Sequence, residues 1–485
     1  MEQRVLGKWT LGAIGAYRYT GDSGLYAKIA KSVDDIIATQ TPDGYIGNYA
    51  PEYQTKKWDI WGQKYTMLGL LGWYELTGDR RALDAAAGVA DHLLSLVGPG
   101  KADIVRAGDY RGMPSSTVLE PIMSLYNKTG ERRYLDFASY IVAQWETPDG
   151  PKLISRADVP VALRFPHPDS WFSYENGQKA YEMMSCYEGL LEYYKVTGNK
   201  TDYDAVLKAY SHILEEEINV AGSGSAVECW YGGRALQTVP TYHTMETCVG
   251  FTWMQFCSRL LALTGDSRYA DNIERTFYNA ILGSLKDDGC QIAKYTPLEG
   301  WRVEGERQCG LNINCCNANG PRAFAMIPSL AYRADGDCLT VNFYGESQAD
   351  IRLGRRNSIK VLQRGDYPVS GDVVMELAPE RPADFTLALR IPEWSSGSSA
   401  RVISGADTLA VSLGHLAAGE YAKITRRWKA GDRVELSLDM TARTVEQDGC
   451  QAITRGPLVL ARDSRFDDGF MDEGGGDSGG LRRYC

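Results

Sequence analysis

Three thiols and a carboxylate are the residues of this 485-residue chain whose types and grouping could do chemistry together. Glu246 and Cys248 lie in Met245-Glu246-Thr247-Cys248, and Cys315 and Cys316 lie further on, in Asn314-Cys315-Cys316-Asn317-Ala318-Asn319-Gly320-Pro321-Arg322. Together they suit a borderline-soft divalent cation in a tetrahedral site, and zinc is the commonest such ion. A metal lowers the pKa of the thiols it binds, so one cysteine could serve as nucleophile as well as ligand. The competing reading makes Cys248 a buried small hydrophobe and Cys315/Cys316 a redox or packing pair, since the spacing matches no common zinc-finger pattern.

Residues two apart point in nearly opposite directions on a helix but share a face in extended backbone. Glu246 and Cys248 are therefore expected in an extended segment, with a helix beginning near Phe251. Adjacent Cys315 and Cys316 reach one ion only if the backbone turns tightly, which the flanking Asn residues and Gly320 permit. A third candidate is Glu228, beside Trp230 in a Gly/Ser-rich segment. Partial burial against that ring would raise its pKa toward general-acid duty, whereas most Glu residues are simply solvated. Lys64, Lys179, His167, His243 and Trp230 are candidate substrate contacts.

The elements that must position these groups are punctuated by a short repeat: Thr20-Gly21-Asp22, Thr77-Gly78-Asp79, Thr129-Gly130-Glu131, Thr197-Gly198-Asn199 and Thr264-Gly265-Asp266. Gly ends one helix in a left-handed conformation and the following polar residue caps the next. Apolar residues from Tyr26 to Ile37 fall on one face, whereas Leu68 to Tyr74 is apolar nearly all round. Alternating one-sided and all-round helices describe an α/α toroid with inner and outer layers. A sixth inner helix is expected from the Gly320-Pro321 step to Tyr332.

From about Asp335 the period becomes alternating. Leu339–Tyr344, Phe385–Ile391 and Val434–Leu438 read as strands of an antiparallel β-sandwich. The expected organisation is therefore a catalytic toroid over 1–334, a sandwich over 335–462 and a flexible Gly-rich tail over 463–485.

The formal charge of −10, without a concentrated Lys/Arg run, excludes a nucleic-acid partner. No apolar run is long enough to span a bilayer and no signal-peptide core is visible, so no membrane partner and a cytoplasmic location are expected. The 11 cysteines are scattered and odd in number, which does not resemble a disulfide framework and fits a reducing compartment. The 11 Trp and 29 Tyr are many, and such rings often line sugar sites, although core packing accounts for most.

Glu246-Thr247-Cys248, Asn314-Cys315-Cys316 with Asn319-Gly320-Pro321-Arg322, Arg390-Ile391-Pro392-Glu393-Trp394, the stretch from Tyr421 to Asp432, and Thr454-Arg455-Gly456-Pro457-Leu458-Val459-Leu460 together resemble glycoside hydrolase family 127. That family includes zinc-dependent β-L-arabinofuranosidases, and the likeness covers most of the chain in order. It implies a retaining, exo-acting hydrolase in which Glu246, Cys248, Cys315 and Cys316 hold zinc, Cys315 attacks the anomeric carbon, and Glu228 is acid/base. The substrate would be a glycoside or oligosaccharide ending in a furanosyl or unusual L-sugar of plant-type glycans, and a homodimer is left open.

One departure bears on the sugar. Where arabinofuranosidases of the family carry Gly-His steps, this chain has Gly62-Gln63-Lys64-Tyr65 and Gly177-Gln178-Lys179-Ala180. Two lysines facing a central cavity would suit a carboxylate-bearing sugar. A non-catalytic glycan-binding toroid with structural zinc and a polysaccharide lyase are the readings from other classes, since toroids host many functions.

Overall fold

The computed structural model describes residues 3–165, 178–230, 243–304, 314–354, 357–404, 407–409 and 417–461. Helices dominate up to residue 330. They comprise α1 (Gln3–Thr20), α2 (Ser23–Ala38), α3 (Asp59–Thr77), α4 (Arg80–Leu96), the short α5 (Met113–Ser116), α6 (Leu119–Thr129) and α7 (Arg132–Trp145). They continue with α8 (Ala180–Thr197), α9 (Lys200–His212), α10 (Thr247–Thr264), α11 (Ser267–Thr276), the single-turn α12 (Leu282–Ser284) and α13 (Cys316–Leu330).

The Thr-Gly-polar repeat does what its chemistry requires. Gly21, Gly78, Gly130, Gly198 and Gly265 have φ of 65°, 75°, 72°, 68° and 70°, a left-handed conformation that a side chain resists. The Asp22, Asp79, Asn199 and Asp266 side chains then accept backbone amides in the next helix's first turn. Glu131 makes no such bond, its side chain being one methylene longer than a capping residue's.

The expected alternation of helix types is present. Helix α3 is buried on nearly every side, from Asp59 to Met67 and again at Gly69 to Leu71 and Trp73. Helix α2 buries only the stripe Ile29, Val33 and Ile36. Helix α1 packs on α3, α3 on α6, and α6 on α8, so the heavily buried helices are neighbours.

Two helix starts differ from expectation, and both carry site residues. Helix α10 begins at Thr247 rather than near Phe251, and α13 begins at Cys316, before Gly320-Pro321. The cause at α13 is Asn314, whose Oδ1 accepts the amides of Cys316 at 2.9 Å and Asn317 at 3.3 Å. That side-chain cap starts the helix ahead of the proline, which sits in its second turn.

The chain divides into two compact units. One contains Met1–Asn219, Ser223–Arg259 and Ala280–Met326; the other contains Val220–Gly222, Leu260–Asn279 and the chain from Ile327 onward. The second unit holds the strands. A four-stranded sheet runs in the order Tyr332–Asp335, Cys338–Val341, Ala383–Ile391, Glu420–Trp428, and a six-stranded sheet begins with Ser347–Leu353, Asn357–Arg364 and Asp372–Pro379. A separate three-stranded sheet covers Ala442–Leu460. The pairing is antiparallel except that Cys338–Val341 runs parallel to Ala383–Ile391, which corrects the expectation of a purely antiparallel domain. Leu339, Leu387 and Ile424 of the first sheet share one core with Val361, Met375 and Val434 of the second.

Arg390 is fully buried in this unit and joins α11 to the sheet. Its guanidinium pairs with Asp271 and, at 2.6 Å, with Glu274, while Nε donates to the Asn342 carbonyl. The Tyr367 hydroxyl donates to Glu274 at 2.6 Å, and the Trp394 indole N–H donates to the same carboxylate at 3.4 Å. Arg390→Met leaves two buried carboxylates uncompensated, so it should destabilise this unit by about 3–5 kcal/mol. Chemical denaturation followed by circular dichroism would measure the loss.

Candidate active site

One extended segment, Ala293–Thr296, gathers the reactive groups. The Thr247 amide donates to the Lys294 carbonyl at 2.9 Å, its hydroxyl donates to the Ala293 carbonyl at 2.8 Å, and Glu246 bridges to Tyr295. Glu246 is thus extended, as expected, while Cys248 already lies in the first turn of α10. The start of α13 comes to the same place, with Cys316 Sγ 3.9 Å from the Lys294 carbonyl.

The sulfurs of Cys248, Cys315 and Cys316 and one Glu246 oxygen all lie within 4.8 Å of one another. Cys248 Sγ is 3.4 Å from Cys315 and 3.1 Å from Cys316, and these two lie 3.6 and 3.7 Å from Glu246 Oε1. Burial pushes Cys248, Cys316 and Glu246 upward in pKa. Cys315 is held well below the ordinary thiol range, first by hydrogen bonds with the Cys248 and Cys316 thiols, with Lys8 and Lys294 assisting. Asn319 Nδ2 donates to Cys248 Sγ at 3.1 Å, and Arg322 donates to Asn319 Oδ1 at 3.0 Å, which fixes the side-chain amide's orientation. Three sulfurs, a carboxylate and an outer donor match a closed cation site, so the cluster could hold a metal ion.

This cluster opens into a cavity of about 370 Å³. Cys248, Cys315 and Glu246 reach its wall, and Trp58, Trp61, Tyr110 and Tyr181 supply ring surface. Three lysines line it. Lys8 of α1 lies over the rings of Tyr65 and Tyr181, at 4.8 Å from each centroid. Lys179 and Lys294 both bind Glu228, Lys294 at 2.7 Å, and Tyr295 donates to the same carboxylate at 3.3 Å.

Lys179 and Glu228 meet because Gln178–Ala180 pairs with Glu228–Trp230: the Ala180 amide donates to the Glu228 carbonyl at 3.0 Å and the Trp230 amide to the Gln178 carbonyl at 2.9 Å. Glu228 itself has φ of 67°, a left-handed conformation rare for a residue with a Cβ. Burial pushes its carboxyl up, but Lys179 and Lys294 overcome this and hold it at about 2. That reverses the expectation of a raised pKa, and the reason is the paired ammonium groups that no local stretch of sequence announces.

The remaining expected contacts scatter. Lys64 is not among the cavity-lining residues; it is buried in an ion pair with Glu120 at 3.3 Å. Trp230 is fully buried, behind the wall. His243 packs edge-on against Tyr295 at 4.9 Å, one layer from the cavity, and His167 lies outside the described residues. Lys8, Glu182, Lys294 and Tyr295 were not singled out from sequence. Glu182 alone had a signal, standing one helical turn after Lys179.

Eight described cysteines are free thiols. Cys450 is disulfide-bonded. No helix of the described residues is long and apolar enough to cross a membrane.

The fold and site define a helical domain with a buried thiol–carboxylate centre opening on an aromatic, lysine-bearing cavity, followed by a β domain. A family model for the β-L-arabinofuranosidase GH127 catalytic domain matches residues 1–329, and one for the GH127 middle domain matches residues 338–440. The chain belongs to the GH127 family of glycoside hydrolases. It is 25% identical to a non-reducing end β-L-arabinofuranosidase of Bifidobacterium longum subsp. longum, over 93% of this chain and 74% of that protein. The crystal structure of a GH127 β-L-arabinofuranosidase from Geobacillus stearothermophilus T6 superposes with a TM-score of 0.74 at 22% identity, covering 93% of this chain and 75% of that one. A second solved structure, titled a glycoside hydrolase, gives a TM-score of 0.76 at 23% identity over 94% of this chain and 77% of that one.

Glu228's folded pKa lies below its ordinary value of 4.5, so its contacts stabilise the fold above that pH, and the contribution fades as the pH falls toward about 2. Lys294→Met removes one of the two cations, so Glu228 should titrate at higher pH than in the wild type. Isotope-edited infrared difference spectra of the two proteins across an acid titration would show the displacement.

Proposed function

We propose that the protein is a retaining exo-glycosidase of the β-L-arabinofuranosidase type, releasing a terminal furanosyl or unusual L-sugar. In this reading the helices form an α/α toroid and the strands a β-sandwich. The observation that carries the proposal is the placement of half-buried Cys315 on the cavity wall, in contact with the other two thiols and Glu246, with Glu228 on the same wall.

Glu246, Cys248, Cys315 and Cys316 would hold zinc, which supplies the positive charge that keeps buried sulfurs as thiolates. The Cys315 sulfur forms a bond to the anomeric carbon as the bond to the leaving oxygen breaks, and Glu228 gives that oxygen a proton. In the second half, Glu228 takes a proton from water, the water oxygen bonds to the anomeric carbon, and the C–S electron pair returns to sulfur. Two displacements at one carbon retain configuration. The second half requires Glu228 as a carboxylate, the form that Lys179 and Lys294 favour, whereas the first half requires its acid form and is opposed by the same two ammonium groups.

The alternative of a carboxylate-bearing sugar rested on Lys64 and Lys179 both facing the cavity. Lys64 is committed to Glu120 and Lys179 to Glu228, which removes that support. Family membership likewise favours hydrolysis over elimination or simple glycan binding.

Cys315→Ser should lower kcat on nitrophenyl β-L-arabinofuranoside by about 10³-fold or more, since an unactivated hydroxyl is a poor nucleophile. In the wild type, mass spectrometry after acid quench should find one pentosyl unit on the Cys315 peptide. Turnover within tenfold of wild type in the variant would remove the proposed nucleophile. Asn319→Ala deletes the hydrogen bond to Cys248 and should weaken zinc retention about 10–100-fold, read by competition with a chromogenic chelator.

A further inference from the structure

Lys8 belongs to α1 and lines the cavity onto which Cys315 opens. Two glycines bring it there. A Cβ on Gly7 would lie 2.1 Å from the Tyr65 carbonyl oxygen, and one on Gly69 would lie 3.4 Å from the Gly7 Cα, so α1 and α3 meet backbone to backbone one residue before the lysine. Lys8 is only 4% exposed, and its Nζ sits 4.8 Å from the Tyr65 and Tyr181 ring centroids and 5.5 Å from that of Trp61.

Ring faces attract a cation but give its N–H groups no lone-pair acceptor. Lys8 makes no hydrogen bond and no ion pair with a described residue, whereas Lys179 and Lys294, the other ammonium groups of the wall, are both bound to Glu228. Its nitrogen is not sealed inside the protein, as the unpartnered indole nitrogens of Trp145 and Trp253 are, and the cavity is what it opens onto. Burial opposes the charged form, but Tyr181, Cys248 and Cys315 outweigh it and raise the pKa, so Lys8 is an ammonium. A buried ammonium at a cavity wall with no acceptor of its own is a donor placed for a group that enters.

We infer that Lys8 is a further substrate-contacting residue, donating a hydrogen bond to an oxygen of the glycone. The inference rests on the glycosidase reading and deepens it by adding a contact from α1, a helix that supplies neither the proposed nucleophile nor the proposed acid/base. The charged groups that act on Lys8 are Cys248 and Cys315, which attract it, and Arg322, which repels it, while Glu182 on the same wall senses it at a distance. A lysine that only balanced the thiolates would affect every substrate alike. One that holds a sugar oxygen affects a single position of the sugar.

The two roles separate in a cycle between protein and substrate. Wild type, Lys8→Met and Lys8→Gln, each saturated with zinc and checked by circular dichroism, are assayed on nitrophenyl β-L-arabinofuranoside and on its monodeoxy analogues. Lys8→Met should lower kcat/KM about 10–100-fold on the parent glycoside, the range for losing a charge-assisted hydrogen bond. One deoxy analogue should lose a similar factor with wild type and lose nothing further with Lys8→Met. Lys8→Gln, which keeps a neutral donor, should lose less at the same position. An equal loss on every sugar, or no loss, overturns the inference, and if Lys8→Met fails to fold the Gln variant is read in the same cycle.

Should the wild type cleave none of these furanosides, the glycosidase reading on that sugar fails, and Lys8 is then judged by calorimetric titration with methyl β-L-arabinofuranoside. Binding to wild type that weakens about 10–100-fold in Lys8→Met supports the contact. Equal binding in both, or none in either, overturns it.

Discussion

The chemistry of this protein depends on one seam of backbone, Ala293–Thr296, to which two helix starts and a carboxylate are fastened. Main-chain bonds from Thr247 and a bridge from Glu246 set the beginning of α10, and the Cys316 sulfur lies against the Lys294 carbonyl at the beginning of α13. The side chains of the same two seam residues, Lys294 and Tyr295, reach Glu228. A displacement of this seam would separate the thiols from Glu246 and release Glu228 together. Such coupling means that the nucleophile and the acid/base proposed here are positioned by a single element rather than by two independent loops.

Burying three sulfurs and a carboxylate is costly unless positive charge is brought to them, and the fold answers in several ways. Cys248 and Cys316 occupy the first turns of α10 and α13, where the positive end of the helix dipole favours negative charge. Lys8 and Lys294 stand nearby, and Asn319 donates to Cys248 through an amide held by Arg322. Arg322 in turn donates to Gln255 at 3.1 Å, and Gln255 donates to Glu188 at 2.9 Å, so the orientation of one ligand is tied to a buried polar network among α8, α10 and α13. The Asn-Gly-Pro-Arg stretch of the sequence is therefore part of the site's support.

The second unit follows the same physical rule with a different purpose. Arg390 is surrounded by two carboxylates and a carbonyl oxygen, and none of these residues is among those lining the thiol-bearing cavity. Its role is to hold α11 on the sheet, which explains why residues Leu260–Asn279 group with the strands although they are helical. An ion pair that complete acts as a structural pin.

The sequence by itself determined the helix pairs, because a left-handed glycine followed by a capping side chain is a local device whose physics needs no distant partner. It also determined the change from helical to alternating period and the identity of the four candidate ligands, since thiol and carboxylate chemistry belongs to the residue type. The exact start of α10 was not legible, because the Ala293–Thr296 seam decides it through contacts that cross a long stretch of chain, whereas the start of α13 is set by the local Asn314 cap, a signal the sequence does carry. Only the tertiary structure decided the state of Glu228, which Lys179 and Lys294 set from two separate segments, and the fate of Lys64, which Glu120 draws away from the cavity.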